Sequence, residues 1–348
     1  PKTGRCIINR ATLKKVKTLT TVILSKTNNT VKKKKIKFIV KPKSKKSKAN
    51  TSESLKNSNS RLMSKIKVKQ TTFRGVASII FYGMLYLLHK YKNIAYPISK
   101  KIWADFSIRN EYQTAISFTC KYTRKKTKFN VKTDFILKFP AVYPDEANFF
   151  SLVTKYENNP KIDYVICGLG VDHDCLNKNG HYNMIIFDLN RKEVERFEPH
   201  GDISSKLKDS IYNEIDYQLE NVFRKHKYLY LPPNTFCPYI GPQKKERIYD
   251  ELRLRQNLKS QSSTSNTDTI LPTDPEGFCA AWSIWYADIR MRNPKVPKNK
   301  LIKQAIELIK KKPMKFRQFI RNYAEFIVQQ QNKLKPKVNS LLHHYNYL

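Results

Sequence analysis

Asp274-Pro275-Glu276-Gly277-Phe278-Cys279-Ala280-Ala281-Trp282-Ser283-Ile284-Trp285-Tyr286-Ala287-Asp288-Ile289-Arg290 reads as a loop that launches a helix with a cysteine at its mouth. Pro275 and Gly277 punctuate the loop, and Phe278, Trp282, Trp285 and Ile289 recur at three- and four-residue steps, which predicts a helix from Ala280 onward that Asn293-Pro294 ends. Cys279 then sits in the first turn. Unpaired backbone N–H groups and the positive end of the helix dipole favour thiolate over thiol there, lowering a pKa that is about 8.5 in a free cysteine. The plainer reading is that Cys279 is a small apolar residue of a buried helix, the commonest role of a free cysteine. The rest of the chain has to decide between the two.

Size permits one large core or two modest ones, since 348 residues are 40% hydrophobic. Charge is the outlier: 67 Lys and Arg against 28 Asp and Glu give a formal net charge of +39, which predicts attraction to nucleic acid, anionic membrane or an acidic protein surface. The six cysteines are far apart and form no CxxC pair, so neither a zinc ribbon nor a disulfide framework is expected and a reducing compartment fits best. Pro1 to Arg10 lacks the apolar run of a signal peptide. The longest apolar stretch, Val76 to Leu88, is shorter than the roughly 20 residues that span a bilayer, so it is read as a buried or surface-seated helix, not an anchor.

Residues 1–72 hold 22 Lys or Arg and a single acid, Glu53. This is read as a disordered basic arm. Lys32, Lys33, Lys34 and Lys35, then Lys43, Lys45 and Lys46, form runs that repel themselves and are expected to bind nucleic acid without reading its sequence; a tail that only aids solubility or nuclear import is the alternative. From 73 to 160 the pattern is that of folded protein, with a helix over Val76 to Tyr91, and is read as an accessory subdomain. Residues 161–335 are the expected core, with 244–272 as a polar insertion and 336–348 as a C-terminal tail.

Inside that core, Ile162-Asp-Tyr-Val-Ile-Cys167-Gly-Leu-Gly170 reads as a short strand ending in glycines. After it comes Gly180-His181-Tyr182-Asn183-Met184-Ile185-Ile186-Phe187-Asp188-Leu189-Asn190-Arg191-Lys192-Glu193-Val194-Glu195-Arg196-Phe197-Glu198-Pro199-His200-Gly201. Two strand-like runs flank a polar turn, which predicts an antiparallel hairpin. A turn centred on Leu189-Asn190 sets His181 directly across from Glu198, and one centred on Asn190-Arg191 makes them diagonal neighbours. Either register leaves an imidazole and a carboxylate about 5 to 8 Å apart at the backbone, within reach of a side-chain hydrogen bond that would fix the imidazole tautomer. His173, in Asp172-His-Asp-Cys175, is read as a solvated loop residue, and His200 as part of a turn.

Gly180-His181-Tyr182, the seventeen-residue step from His181 to Glu198, and Phe197-Glu198-Pro199 with Gly201 resemble the adenovirus-type cysteine proteases and their SUMO-deconjugating relatives. Those enzymes run His, then Asp or Glu, then Gln, then Cys at a helix N-terminus. The resemblance covers roughly residues 160 to 295. It departs from the family's Gln-x5-or-x6-Cys-Gly pattern at Pro272, Thr273 and Ala280. It implies an α+β fold of the papain-like, adenovirus-protease type, a mixed sheet with a central helix carrying the cysteine. It implies a cysteine peptidase or isopeptidase, with His181 as base, Glu198 orienting it and Cys279 as nucleophile. No metal or organic cofactor is called for.

The family's glutamine donates to the oxyanion, a role worth about 3 kcal/mol, and Gln243 is the nominee here, with Asp274 as the competitor. The expected partners are a protein substrate, either viral structural proteins or ubiquitin-like conjugates, and nucleic acid through residues 1–72, with no membrane. The resemblance also implies a large DNA virus as the source and the virion or host-cell cytoplasm as the location. The alternative is a catalytically silent virion or genome-associated protein that keeps the fold.

Overall fold

The computed structural model describes residues 71–97, 115–123, 132–139, 145–173, 178–202, 210–246, 278–311, 316–338 and 340–341. All of them fall within one compact unit, Ala49–Leu348. The arm lysines, Asp274 and residues 247–272 lie outside the described residues.

The predicted hairpin forms and sets the frame. Strand β5 (Lys178–Asp188) runs antiparallel to both β4 (Tyr164–His173) and β6 (Glu193–Phe197), and it pairs with β6 as Met184 with Phe197 and Asp188 with Glu193. This is the diagonal register of the two that the sequence allowed. The turn is held by Asp188, whose Oδ1 accepts the Arg191 N–H at 3.1 Å, and Lys192 adopts φ 55° to complete it. Strand β4 does not stop at its glycines but runs through them to His173. Gly168 is needed there because a Cβ would lie 1.7 Å from the Tyr182 Oη of the neighbouring strand. His173 is therefore a strand residue and not a loop one.

β1 (Ile94–Ala95), β2 (Ala115–Thr123) and β3 (Lys132–Lys138) join the same seven-stranded sheet, ordered β3-β2-β4-β5-β6 and then β7 (Leu229–Leu231), with β1 beside β4. β2 and β1 lie parallel to β4, and β7 parallel to β6, so the sheet is mixed. The sheet shows no division at residue 160: the segment expected to be an accessory subdomain supplies three of its strands.

Side-chain alternation along β5 sends Met184 and Ile186 to one core and Ile185 and Phe187 to the other. The second core is closed by helices α2 (Glu146–Glu157) and α3 (Ser210–Lys225). Between β7 and the cysteine helix lies the short α4 (Pro233–Phe236). The first core contains α5 (Cys279–Arg292), wrapped by α1 (Ala77–Lys90), α6 (Lys298–Lys310) and α7 (Phe316–Leu334). Every residue of α5 from Ala280 to Met291 is buried, which places it at the centre of the molecule. Gly83 lets α1 approach it closely, since a Cβ there would meet Ile284 at 2.6 Å.

The aromatic stripe of α7 is core, with Phe316, Phe319, Ile320, Tyr323 and Ile327 buried. Val338 is buried too, so the core extends past residue 335 into the expected tail. Buried charges on α5 are paired: Arg290 meets Glu195 at 3.1 Å, and Asp288 meets Lys90 at 2.6 Å. Among the described residues no helix is long and apolar enough to cross a membrane.

Candidate active site

Cys279 is the first residue of α5, with Phe278 in the cap position and the Trp282 N–H bonding to the Phe278 carbonyl at 2.8 Å. It is half-buried, whereas Cys167 and Cys237 are buried. Burial pushes both of those thiols up, Cys167 to about 12, so neither is a ready nucleophile. His181, near the start of β5, is buried, and its Nε2 lies 2.7 Å from Glu198 Oε1. The same imidazole is hydrogen-bonded to Cys279. With Nε2 taken by the carboxylate, Nδ1 is the nitrogen left for the thiol.

Burial alone would lower the His181 pKa, but the Glu198 charge and the hydrogen bonds to Cys279 and Glu198 outweigh it and raise the value. Glu198 moves the other way. Burial works to raise it, and the His181 charge and hydrogen bond, with His200 and Arg196 behind them, hold the carboxyl below its usual range. The pair is thus poised as imidazolium and carboxylate.

Gln243 is brought to this corner by the chain after α4. Its N–H donates to the Pro199 carbonyl at 3.1 Å, the Gly241 N–H to the His200 carbonyl at 2.8 Å, and the Asp202 N–H to the Pro238 carbonyl at 3.0 Å. The Gln243 side chain is buried, and its Oε1 has no hydrogen-bond partner among the described residues. The helical turn 242–246 is then tied to the cysteine helix: Glu246 accepts from Trp282 Nε1 at 3.1 Å and pairs with Arg317 at 2.9 Å. Residues 244–246 therefore belong to the framework, with Glu246 buried, and are not part of an insertion.

The sequence reading missed a second layer. The His200 ring stacks on His181 with centroids 4.5 Å apart and planes 12° off parallel, and its backbone N–H donates to Glu198 Oε1 at 2.9 Å. Arg196 and Asn183 stand behind Glu198. Period-two alternation was the available signal, because Arg196 shares a strand face with Glu198 and Asn183 shares one with His181.

His181, Glu198 and His200 also form a group whose ligand atoms lie within 4.8 Å of one another. Two ligand atoms on a tetrahedral zinc sit about 3.3 Å apart, given bonds of about 2.0 Å, whereas Nε2 and Oε1 are 2.7 Å apart. A guanidinium already faces the other carboxylate oxygen. The arrangement suits a shared proton better than a cation.

No family model matches the chain. A protein of Acanthamoeba polyphaga mimivirus, L371, whose name refers to ankyrin repeats, is 26% identical over 285 residues, 79% of this chain and 34% of that protein. The chain thus spans about a third of the length of this curated relative. Among solved structures, the chain is similar to the Chlamydia trachomatis effector Cdu1 bound to ubiquitin, with a TM-score of 0.31 and 8% identity over 74% of this chain and 93% of that one. ChlaDUB1 of the same organism gives 0.31 and 9%, over 74% and 84%. The SUMO protease Ulp1, with its catalytic cysteine oxidised to a sulfinic acid, gives 0.25 and 12%, over 73% and 78%. The chemistry of the site rests on its own residues.

Proposed function

We propose that this chain is a cysteine peptidase or isopeptidase. One observation carries the reading: a buried imidazole bonded on one side to Glu198 at 2.7 Å and on the other to a cysteine that opens a buried helix. The Cys279 thiolate attacks the carbonyl carbon of the scissile bond, and the His181 imidazolium gives its proton to the departing amine. Neutral His181 then takes a proton from water, whose oxygen attacks the thioester and releases Cys279. Glu198 stays anionic throughout and keeps the ring turned. Gln243 is the proposed side-chain donor to the oxyanion, an assignment supported by its docking on the Glu198-to-Gly201 turn.

The substrate is a protein, either a viral structural protein or a ubiquitin-like conjugate, as the Gly-His-Tyr and Phe-Glu-Pro-x-Gly motifs suggest. The similarity to a mimivirus protein supports a viral source and an assembly-site location. The 22 basic residues within 1–72 support a nucleic-acid partner that would localise the enzyme with its substrates; retention of duplex binding above about 0.5 M salt would argue against this purely electrostatic contact.

The test of the activity is labelling of Cys279 by a peptide aldehyde or vinyl sulfone across pH, in the wild type and in His181→Ala. The expected result is labelling at pH 6 that exceeds that of a free cysteine and needs His181. Labelling no faster than free cysteine, or indifferent to His181, would instead indicate a protein that keeps the fold without the chemistry.

A further inference from the structure

Glu198 is completely buried, and a carboxylate in that position requires compensation on both oxygens. Oε1 has it, from His181 Nε2 at 2.7 Å and the His200 N–H at 2.9 Å. Oε2 accepts no hydrogen bond among the described residues, and Arg196 Nη1 faces it at 3.5 Å.

Arg196 is itself 1% exposed and is held at every described polar contact. Asp216 on α3 takes Nε at 3.0 Å and Nη2 at 2.9 and 3.0 Å through its two oxygens. Tyr230 on β7 takes Nε at 3.0 Å, and Asn183 on β5 takes Nη1 at 2.5 Å. Asn183 is the residue that would pair next with Glu198 in the β5–β6 register, so the nitrogen it fixes is the one aimed at the carboxylate. Three elements therefore converge on the guanidinium that β6 carries, and none of its described hydrogen bonds goes to the thiol or the imidazole.

We infer that Arg196 is a positioning residue for the proposed reaction, clamped by Asp216, Tyr230 and Asn183 so that it holds Glu198 ionised with Oε1 turned to His181. The inference rests on the catalytic reading above. The Arg196–Asp216 pair is neutral as a whole, so its effect on Glu198 comes from orientation, with Nη1 presented forward and the Asp216 carboxylate behind. The charged and titratable groups around Glu198 are His181 on β5, His200 in the turn, Tyr212 and Asp216 on α3, Tyr230 on β7, Cys237 after α4, and Cys279 on α5. The two histidines of this set, together with Arg196, are the cationic partners that favour the ionised acid.

The test reads the carboxyl carbon of Glu198 by 13C NMR from pH 8 down to pH 1, a range that brackets its lowered midpoint, in a Cys279→Ala background, with Glu198→Gln identifying the signal. Arg196→Gln is expected to move the Glu198 midpoint up by about one pH unit or more, and Arg196→Lys to move it less. Asn183→Ala, which leaves the Arg196–Asp216 pair in place and guards against a misfolded Arg196 variant, is expected to move it in the same direction by a smaller step. Unchanged midpoints in both Arg196→Gln and Asn183→Ala would overturn the inference. Because thiol labelling reports the catalytic reading separately, absent His181-dependent labelling alongside a shifted Glu198 midpoint would sink that reading and leave the clamp standing.

Discussion

Gly201 and Gly241 meet backbone to backbone: a Cβ on Gly201 would lie 2.3 Å from the Gly241 nitrogen, and one on Gly241 would lie 2.4 Å from the Gly201 nitrogen. Gly201 also holds φ 88°, in the left-handed region that glycine tolerates best. Their contact joins the turn carrying Glu198 to the segment carrying Gln243. Gly241→Ala is expected to destabilise the fold by about 1–3 kcal/mol, as overpacking does. It should also cut turnover more than it cuts alkylation of Cys279. Urea midpoints and the two rates, measured on one preparation, check this.

The Gln243 role predicts a split between two chemistries. Gln243→Ala is expected to lower kcat for peptide or isopeptide hydrolysis by about 10²–10³-fold, while iodoacetamide alkylation of Cys279, which forms no oxyanion, stays within about twofold of wild type. Equal loss in both reactions would assign Gln243 to packing.

The His181–Glu198 pair predicts a pH dependence of stability on both sides. Glu198 is held below its ordinary 4.5, so its contribution is complete above that pH and is lost as acid drives pH down through the folded value. His181 is raised above its ordinary 6.5, so its contribution is complete below 6.5 and is lost as pH climbs through the folded value. Both act together between pH 4.5 and 6.5. His181→Gln is therefore expected to lose at least about 1.4 kcal/mol relative to wild type at pH 6, the equivalent of one pH unit. That gap should narrow by pH 9 and above, as measured by urea denaturation at each pH.

Glu195 is buried beneath the cysteine helix, where it accepts from Tyr286 at 2.8 Å and from Arg290 at 3.1 Å, with Lys298 3.4 Å away. Breaking a buried pair by removing one partner strands the other charge. Arg290→Met is expected to cost about 3–5 kcal/mol, read as a fall in the denaturant midpoint. A loss under about 1 kcal/mol would mean that Lys298 and Tyr286 suffice for Glu195.

Much of this was legible in the residues for stated reasons. The periodicity of Phe278, Trp282, Trp285 and Ile289 located the helix, and the polar turn after Asp188 located the hairpin, because both signals are local. The choice between two registers was not local: it depends on Asp188 capping the turn and on Lys192 accepting a positive φ. Gly170 looked like a strand terminus, yet the strand continues, because Gly168 makes room for a tyrosine one strand away. The boundary expected at 160 followed from a gap in motifs, whereas strand pairing across the sheet ignores such gaps. Arg196 carried no motif at all, and its importance comes from Asp216 and Tyr230, which only folding brings beside it.

Trp282 and Gln243 are separated by 39 positions in the sequence, yet Glu246, one helical turn beyond Gln243, bonds to Trp282 and pairs with Arg317. The nucleophile and the proposed oxyanion donor are thus bolted to a common mount that does not depend on the chain running unbroken between them. A protease cut within 247–277 should leave two pieces that co-purify and still label at Cys279.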